Sequence, residues 1–232
     1  MHTEDNDFLK YLTPIAVVLA GGLIALAVFY NGTGAGTTTN GQPQAAAVNI
    51  KDVNIENEPF IGDANAPVTI AEWSDYQCPY CKQFEEQTLL QIIKDYVDAG
   101  KVKVVFKAYP FLGADSDTAD MYARSVWHLY PAQYFAWRNA MFAAQDAEDD
   151  QGFGDAASID KMNATVAGLD AAKIAADVKA NAPAYQAEID ANKAEAAKLG
   201  ISGTPAFIIG KTLLPGAYPY ANFRPLIDAE LK

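Results

Sequence analysis

The chain has 232 residues, 50% hydrophobic and 20% charged, a globular composition with enough apolar mass for a substantial core. Its formal net charge of -12 and isoelectric point near 4.5 exclude nucleic acid as an expected partner, because phosphates would be repelled. The acidic excess is spread through the second half, from Asp146 to Glu195, and reads as solvated helical surface rather than as a tail.

Residues 12–30 carry no charge, and this run is close to the roughly 20 residues that a membrane-spanning helix needs. The stretch GTGAGTTTNGQPQAAA follows directly and has the composition of a flexible tether. A transmembrane anchor is therefore expected over 12–30, with a cytoplasmic N-terminus over 1–11 and a tether over 31–48. Ala45-Ala46-Ala47 resembles a small-residue cleavage site, but it lies well beyond the apolar run. The flank MHTEDNDFLKYLTP is acidic rather than basic, which favours a retained anchor over a cleaved signal. Lys10 alone precedes the span among lysines and arginines, so orientation is set only weakly by charge.

Past the tether, VNIKDVNIENEPF contains a short alternating strand pattern, and Pro59, Gly62 and Pro67 make a turn-rich lead-in. VTIAEWS (68–74) is a β-branched and aromatic strand. Pro79 to Ala99 reads as a helix with Phe84, Leu89, Leu90, Ile92, Ile93 and Tyr96 apolar and Gly100 as its cap. KVKVVFKAYPF (101–111) is a second strand, completing a β-α-β unit. From 115 to 199 the chain is Ala-rich, acidic and helical, with Tyr122, Val126, Trp127, Tyr130, Phe135, Trp137, Met141 and Phe142 as core positions. Pro131, Gly152 to Gly154 and Pro183 are expected breaks there. PAFIIG (205–210) is a strand, Thr212 to Leu214 its hairpin partner, and Tyr220 to Leu231 a final helix. The order predicts an α/β, thioredoxin-like fold with an inserted helical domain: 49–112 and 200–232 form the thioredoxin-like parts and 113–199 the insertion.

Chemistry is concentrated at the first strand-to-helix junction. Cys78 and Cys81 are the chain's two cysteines, spaced Cys78-Pro79-Tyr80-Cys81. A helix N-terminus offers unpaired N–H groups and partial positive charge, which stabilise a thiolate at Cys78. The exposed first sulfur would attack and the second resolve. Pro79 suits the first helical turn, where a missing N–H costs nothing. A structural disulfide across so short a loop would add little stability. A zinc site lacks ligands, because only His2 and His128 could join the thiols. Two incidental buried thiols remain a weak alternative to a redox pair.

The segment EWSDYQCPYCKQFEE, with GDANAPVTI before it and GISGTPAFIIG after it, resembles the DsbA-like thiol-disulfide oxidoreductases, in particular their membrane-anchored branch. The resemblance implies a nucleophile at Cys78, a resolving cysteine at Cys81, and an active-site loop comprising Pro79, Tyr80, Thr204 and Pro205, with a cis bond before Pro205. It also implies that Glu72 is the buried acid exchanging a proton with the resolving cysteine; burial beside thiols should raise its pKa. Lys107, on the neighbouring strand, is a candidate partner for Glu72. Tyr76, Tyr80 and Tyr109 are candidates for the substrate surface, while Trp73 and Trp127 are expected to pack.

Two departures bear on direction. Tyr80 stands where strong oxidants of this family have a histidine, so Cys78 lacks one cationic stabiliser and a milder potential is expected. Thr204 replaces a valine. The resemblance implies an extracytoplasmic enzyme that introduces disulfides into secreted or membrane proteins, with no cofactor beyond the Cys78/Cys81 disulfide and no metal. Its implied partners are reduced unfolded proteins and a quinone-linked DsbB-like or VKOR-like membrane reoxidant. An isomerase or reductase kept reduced by another partner is the alternative within the same chemistry. A non-catalytic peptide-binding chaperone or a structural adaptor is the alternative outside it.

Overall fold

The structure, a computed structural model, describes residues 48–146 and 153–232. The expected cytoplasmic N-terminus, anchor and most of the tether lie outside the described residues, as does Gly152; among the described residues no helix is long and apolar enough to cross a membrane.

Five strands form one sheet in the order β1-β3-β2-β4-β5, with β1 at Phe60–Ile61, β2 at Val68–Ser74, β3 at Val102–Ala108, β4 at Ala206–Ile209 and β5 at Thr212–Pro215. β2 runs parallel to β3 and antiparallel to β4, so it is covered on both sides. It is buried almost without a break, its polar Glu72 and Ser74 included. Glu72 pairs with Phe106 and with Phe207. Because side chains alternate along a strand, Val68, Ile70, Glu72 and Ser74 share one face with Val104, Phe106, Phe207 and Ile209. Ala71 and Trp73 share the other with Lys107, Ala206 and Ile208.

The first face belongs to the main apolar cluster. Helix α1 (Pro79–Phe84), continued by Glu85–Leu89, Leu90–Ile92 and Ile93–Val97, contributes Cys81, Phe84, Leu89 and Ile92. Glu85–Leu89 and Ile93–Val97 are wide π-type turns, and Gly100 at φ 68° ends the helix. The second face packs on Val48, Val53, Ala196 and Ile201.

The insertion comprises α2 (Ala114–Leu129), a 3-10 turn at Pro131–Gln133, α3 (Tyr134–Ala144), α4 (Ala156–Asn163) and α5 (Ala171–Lys198), which returns the chain to β4. Of the expected core positions there, Tyr122, Val126, Trp137, Met141 and Phe142 are buried, while Trp127, Tyr130 and Phe135 pack half-buried against them. Helix α6 (Tyr220–Glu230) closes the fold with Phe223 and Ile227 against Phe84 and Phe207.

Three local expectations are corrected. Ile50–Asp52 is a 3-10 turn rather than a strand, with Asn49 accepting from the Lys51 N–H. Tyr109 to Phe111 lie beyond the end of β3. Pro183 does not break α5: it is exposed, where the carbonyl four residues back can bond water, and buried Ile174, Tyr185, Ile189 and Ala196 hold the helix on either side.

Candidate active site

Cys78 is the N-cap of α1, with φ -79° and ψ 118°, and Pro79 occupies the first turn. The loop ahead of it is built by Asp75. The buried carboxylate accepts from the Gln77 N–H at 2.8 Å and from the Phe111 and Leu112 N–H groups at 2.9 and 3.2 Å. The Asp75 carbonyl accepts from the Cys78 N–H at 3.0 Å. The insertion grips the same loop. Gln145 donates to the Tyr76 carbonyl at 2.7 Å, and Gln77 donates to the Phe153 carbonyl at 3.2 Å. Facing the thiols, the Thr204–Pro205 peptide bond is cis, and the Cys78 thiol donates to the Thr204 carbonyl at 3.5 Å. Both cysteines are free thiols. Cys78, expected to be the exposed sulfur, is only 3% exposed, although Cys81 is covered completely. Neighbouring groups shield it, while Tyr80, two residues on, is 63% exposed.

The two sulfurs are electrostatically unlike. The Cys81 thiol's hydrogen bond lowers Cys78 to about 6 against the opposing effect of burial, and the Thr204 side chain and the N–H groups of Cys81 and Tyr80 add to the lowering. Burial, then the hydrogen bond to Cys78 and its charge, pushes Cys81 well above the ordinary thiol value, with Glu72 raising it further. The pair therefore presents a thiolate beside a thiol.

Glu72 is completely buried, and burial lifts it to about 8; Glu85 adds to the rise while Arg138 opposes it. Arg138, from α3, donates through Nη2 to Glu72 Oε1 at 2.9 Å and to the Ser74 hydroxyl at 3.2 Å. Its Nε donates to Glu85 Oε1 at 2.7 Å, and Nη2 donates to the same oxygen. Burial alone would lower the guanidinium, but Glu85 and then Glu72 outweigh that effect and keep it charged. The rings of Phe106 and Phe142 lie 4.0 and 5.0 Å from the guanidinium carbon.

Lys107 is not the partner of Glu72. It is paired with Trp73 in the register, one step from Phe106, and so projects from the opposite face. There it meets Glu58 at 3.1 Å, Glu195 at 2.9 Å and the Asn54 carbonyl. Sequence reading missed Arg138, Glu85 and Asp75. Two of them left a signal: Glu85 is in step with Cys81, Phe84 and Leu89, and Arg138 with Tyr134, Trp137, Met141 and Phe142, so each is a charge set in an apolar helical stripe.

Tyr76 does not line the surface. It is buried, its hydroxyl 3.1 Å from that of Tyr134 and its ring against Trp137 and Phe142. Tyr109 is half-buried against Phe111. Trp73 is fully buried and Trp127 half-buried, as packing residues should be. Exposed apolar area near the junction comes from Tyr80, Phe111 and Leu112. A groove of about 130 Å³ runs beside the helix, between Gln83, Phe84, Gln87 and Thr88 on one side and Tyr218 and Tyr220 on the other. Among the described residues no group of three or more His, Cys, Asp or Glu is placed to hold a metal ion.

Comparison with known proteins agrees with this arrangement. The family model described as "Thioredoxin" matches residues 54–229, more than half of the chain. Disulfide bond formation protein D of Bacillus subtilis is 27% identical over 184 residues, 77% of this chain and 79% of the relative. The crystal structure of oxidised BdbD from the same organism superposes with a TM-score of 0.73 at 22% identity, covering 81% of this chain and 98% of that one, which speaks to the fold. The thiol-disulfide exchange protein alpha-DsbA2 from Wolbachia pipientis superposes with a TM-score of 0.64 at 28% identity, covering 75% of this chain and 87% of that one. A parallel β-α-β unit with a dithiol at its junction, a facing cis proline and a matching family model place the chain in the thioredoxin family, among its DsbA-like thiol-disulfide oxidoreductases.

Proposed function

We propose that the enzyme introduces disulfide bonds into secreted or membrane proteins by exchange through Cys78 and Cys81, outside the cytoplasmic membrane and anchored to it by residues 12–30. The observation that carries this reading is the asymmetry of the sulfurs: Cys78 is lowered to about 6 beside a Cys81 held protonated. A stabilised Cys78 thiolate favours the reduced enzyme, and so makes the oxidised enzyme an electron acceptor.

In the oxidised enzyme a substrate thiolate attacks Cys78, forming the mixed disulfide as the Cys78–Cys81 bond breaks. Cys81 leaves with the electron pair and takes a proton from Glu72. A second substrate thiolate then attacks the substrate sulfur, and Cys78 leaves as a thiolate, which its low pKa favours. The substrate has lost two electrons and the dithiol has gained them. Extended substrate chains lie across Tyr80, Phe111 and the groove by Tyr218. A membrane partner of the DsbB-like or VKOR-like kind reoxidises the pair, and a shared membrane plane raises the effective concentration of the two. The relatives named for disulfide bond formation support this direction. No bound cofactor enters, since the dithiol itself carries the electrons.

Equilibration of the full chain with glutathione buffers tests the direction. A potential near about -120 to -180 mV is expected, and one below about -230 mV makes the protein an electron donor and overturns the oxidase reading.

A further inference from the structure

We infer that Glu85 and Arg138 are positioning residues for Glu72: Glu85 takes up the guanidinium, so that the one proton of this buried cluster resides on Glu72, on the oxygen that meets no donor, where Cys81 can receive it. The inference deepens the exchange mechanism proposed above and rests on it.

The charge count comes first. Two carboxyls and one guanidinium are enclosed together, with Glu72 0%, Glu85 4% and Arg138 1% exposed. A net negative charge in such a place is costly, so one carboxyl holds a proton. Hydrogen-bond geometry decides which. Both Nε and Nη2 of Arg138 are directed to Glu85 Oε1. Glu72 Oε1 receives only Nη2, which is also within reach of the Ser74 hydroxyl. Glu85 is therefore the better-solvated anion, and charge-assisted bonds of this kind are the strong ones. Glu72 Oε2 and Glu85 Oε2 are both buried without a hydrogen-bond partner, so the difference between the two carboxyls is the Arg138 contact: two donors on Glu85 Oε1 against one, shared with Ser74, on Glu72 Oε1.

Placement supplies the rest. Cys81 and Glu85 are one helical turn apart, both buried on the face of the helix that meets the sheet, and Glu72 points from the central strand to that same face. The groups facing Glu72 are Cys81 and Glu85 from the active-site helix, Ser74 from its own strand and Arg138 from α3; Tyr76, Tyr134 and Asp120 face Arg138 from beyond. Phe106 and Phe142 lie against the guanidinium and fix its plane, which leaves no freedom to swing toward Glu72 alone. When the Cys78–Cys81 bond breaks, the proton moves from Glu72 Oε2 to the Cys81 sulfur, and the carboxylate so left takes up a proton from solvent below about pH 8. On reoxidation Glu72 first gives that proton back to solvent and then accepts the one Cys81 loses as its sulfur attacks.

The test follows the Glu72 carboxyl carbon by NMR in the reduced full chain, carrying ¹³C-labelled glutamate, across pH, in wild type and in Glu85→Gln. With Glu85 neutral, Glu72 loses the neighbouring negative charge that raises it and becomes the one anion left to the fixed guanidinium, so it is expected to titrate lower by about one unit or more. The pH profile of mixed-disulfide formation should move with it, and Glu85→Asp should restore both. If Glu85→Gln does not fold, Arg138→Lys replaces it: the ammonium has no Nε to favour Glu85, and Glu72 is again expected to titrate lower. A Glu72 titration and exchange profile that stay in place in a folded variant overturn the inference. Failure of the exchange mechanism would show differently, as a wild-type chain that forms no mixed disulfide at Cys78.

Discussion

The Cys78 sulfur lies 3.5 Å from the Thr204 carbonyl oxygen, although 126 positions separate the two residues. The cis peptide after Thr204 thus closes the side of the dithiol that α1 leaves open. The Thr204 side chain also lowers Cys78, behind the larger effect of the Cys81 thiol. In Thr204→Val the Cys78 pKa is expected to rise above about 6, and alkylation of the reduced chain near that pH to slow several-fold. An unchanged rate would remove Thr204 from the set of thiolate stabilisers.

Stability of the reduced chain should carry opposing pH signatures. Cys78 is depressed from 9.0 to about 6, so its contribution is fully present above about 9 and lost as pH falls through 6. Glu72 is raised from 4.5 to about 8, so its contribution is fully present below 4.5 and lost as pH rises through 8. Denaturant unfolding of wild type and Cys78→Ser isolates the first: the difference should grow in favour of wild type from pH 6 to 9. A flat difference across that window would mean that the thiolate is not stabilised by the fold.

Tyr80, exposed like Pro79 between the sulfurs, carries no charge that could help a thiolate. In Tyr80→His a protonated imidazole should lower Cys78 further. Each unit of lowering makes the potential about 30 mV less negative, so a shift of that order is expected from glutathione equilibration. A potential that does not move would show that position 80 does not set the oxidising power.

Gly154 is a point in the insertion where a side chain would collide with the active-site loop. It has φ 126°, and a Cβ there would fall 2.1 Å from Gln77 Nε2 and 2.7 Å from Asp115 Cβ. Gly154→Ala should cost about 1–3 kcal/mol in thermal or denaturant unfolding. Because Gln77 precedes Cys78, the alkylation rate of Cys78 should change as well. A stability loss with unchanged reactivity would separate the loop's anchoring from the thiolate's environment.

Much of the sheet and the dithiol was legible because period-2 and helical patterns are local. Val68–Ser74 and the Pro79 helix are written in consecutive residues, and the cysteine pair stands alone. Register between strands is not local. Assigning Lys107 to Glu72 was one step out, and one step in a strand reverses the face. Arg138 was hidden for a different reason: it is 66 positions from Glu72, in an element whose placement no pattern in the sequence specifies. A charged residue in an apolar helical stripe is legible as an anomaly, but its partner is not. Tyr76 reads as a surface aromatic beside the motif, yet it is drawn inside by Tyr134, Trp137 and Phe142 of the insertion.

The position of Arg138 also bears on how such a chain is inherited. Glu72 and Glu85 belong to the thioredoxin-like part, while the cation that meets both, Arg138, belongs to the helical part. Excising 113–199 would take the counter-charge from the ionised carboxyl, and an enclosed ion that loses its partner costs several kcal/mol. The inserted domain is therefore no detachable passenger: any descendant that sheds it must also replace Glu85.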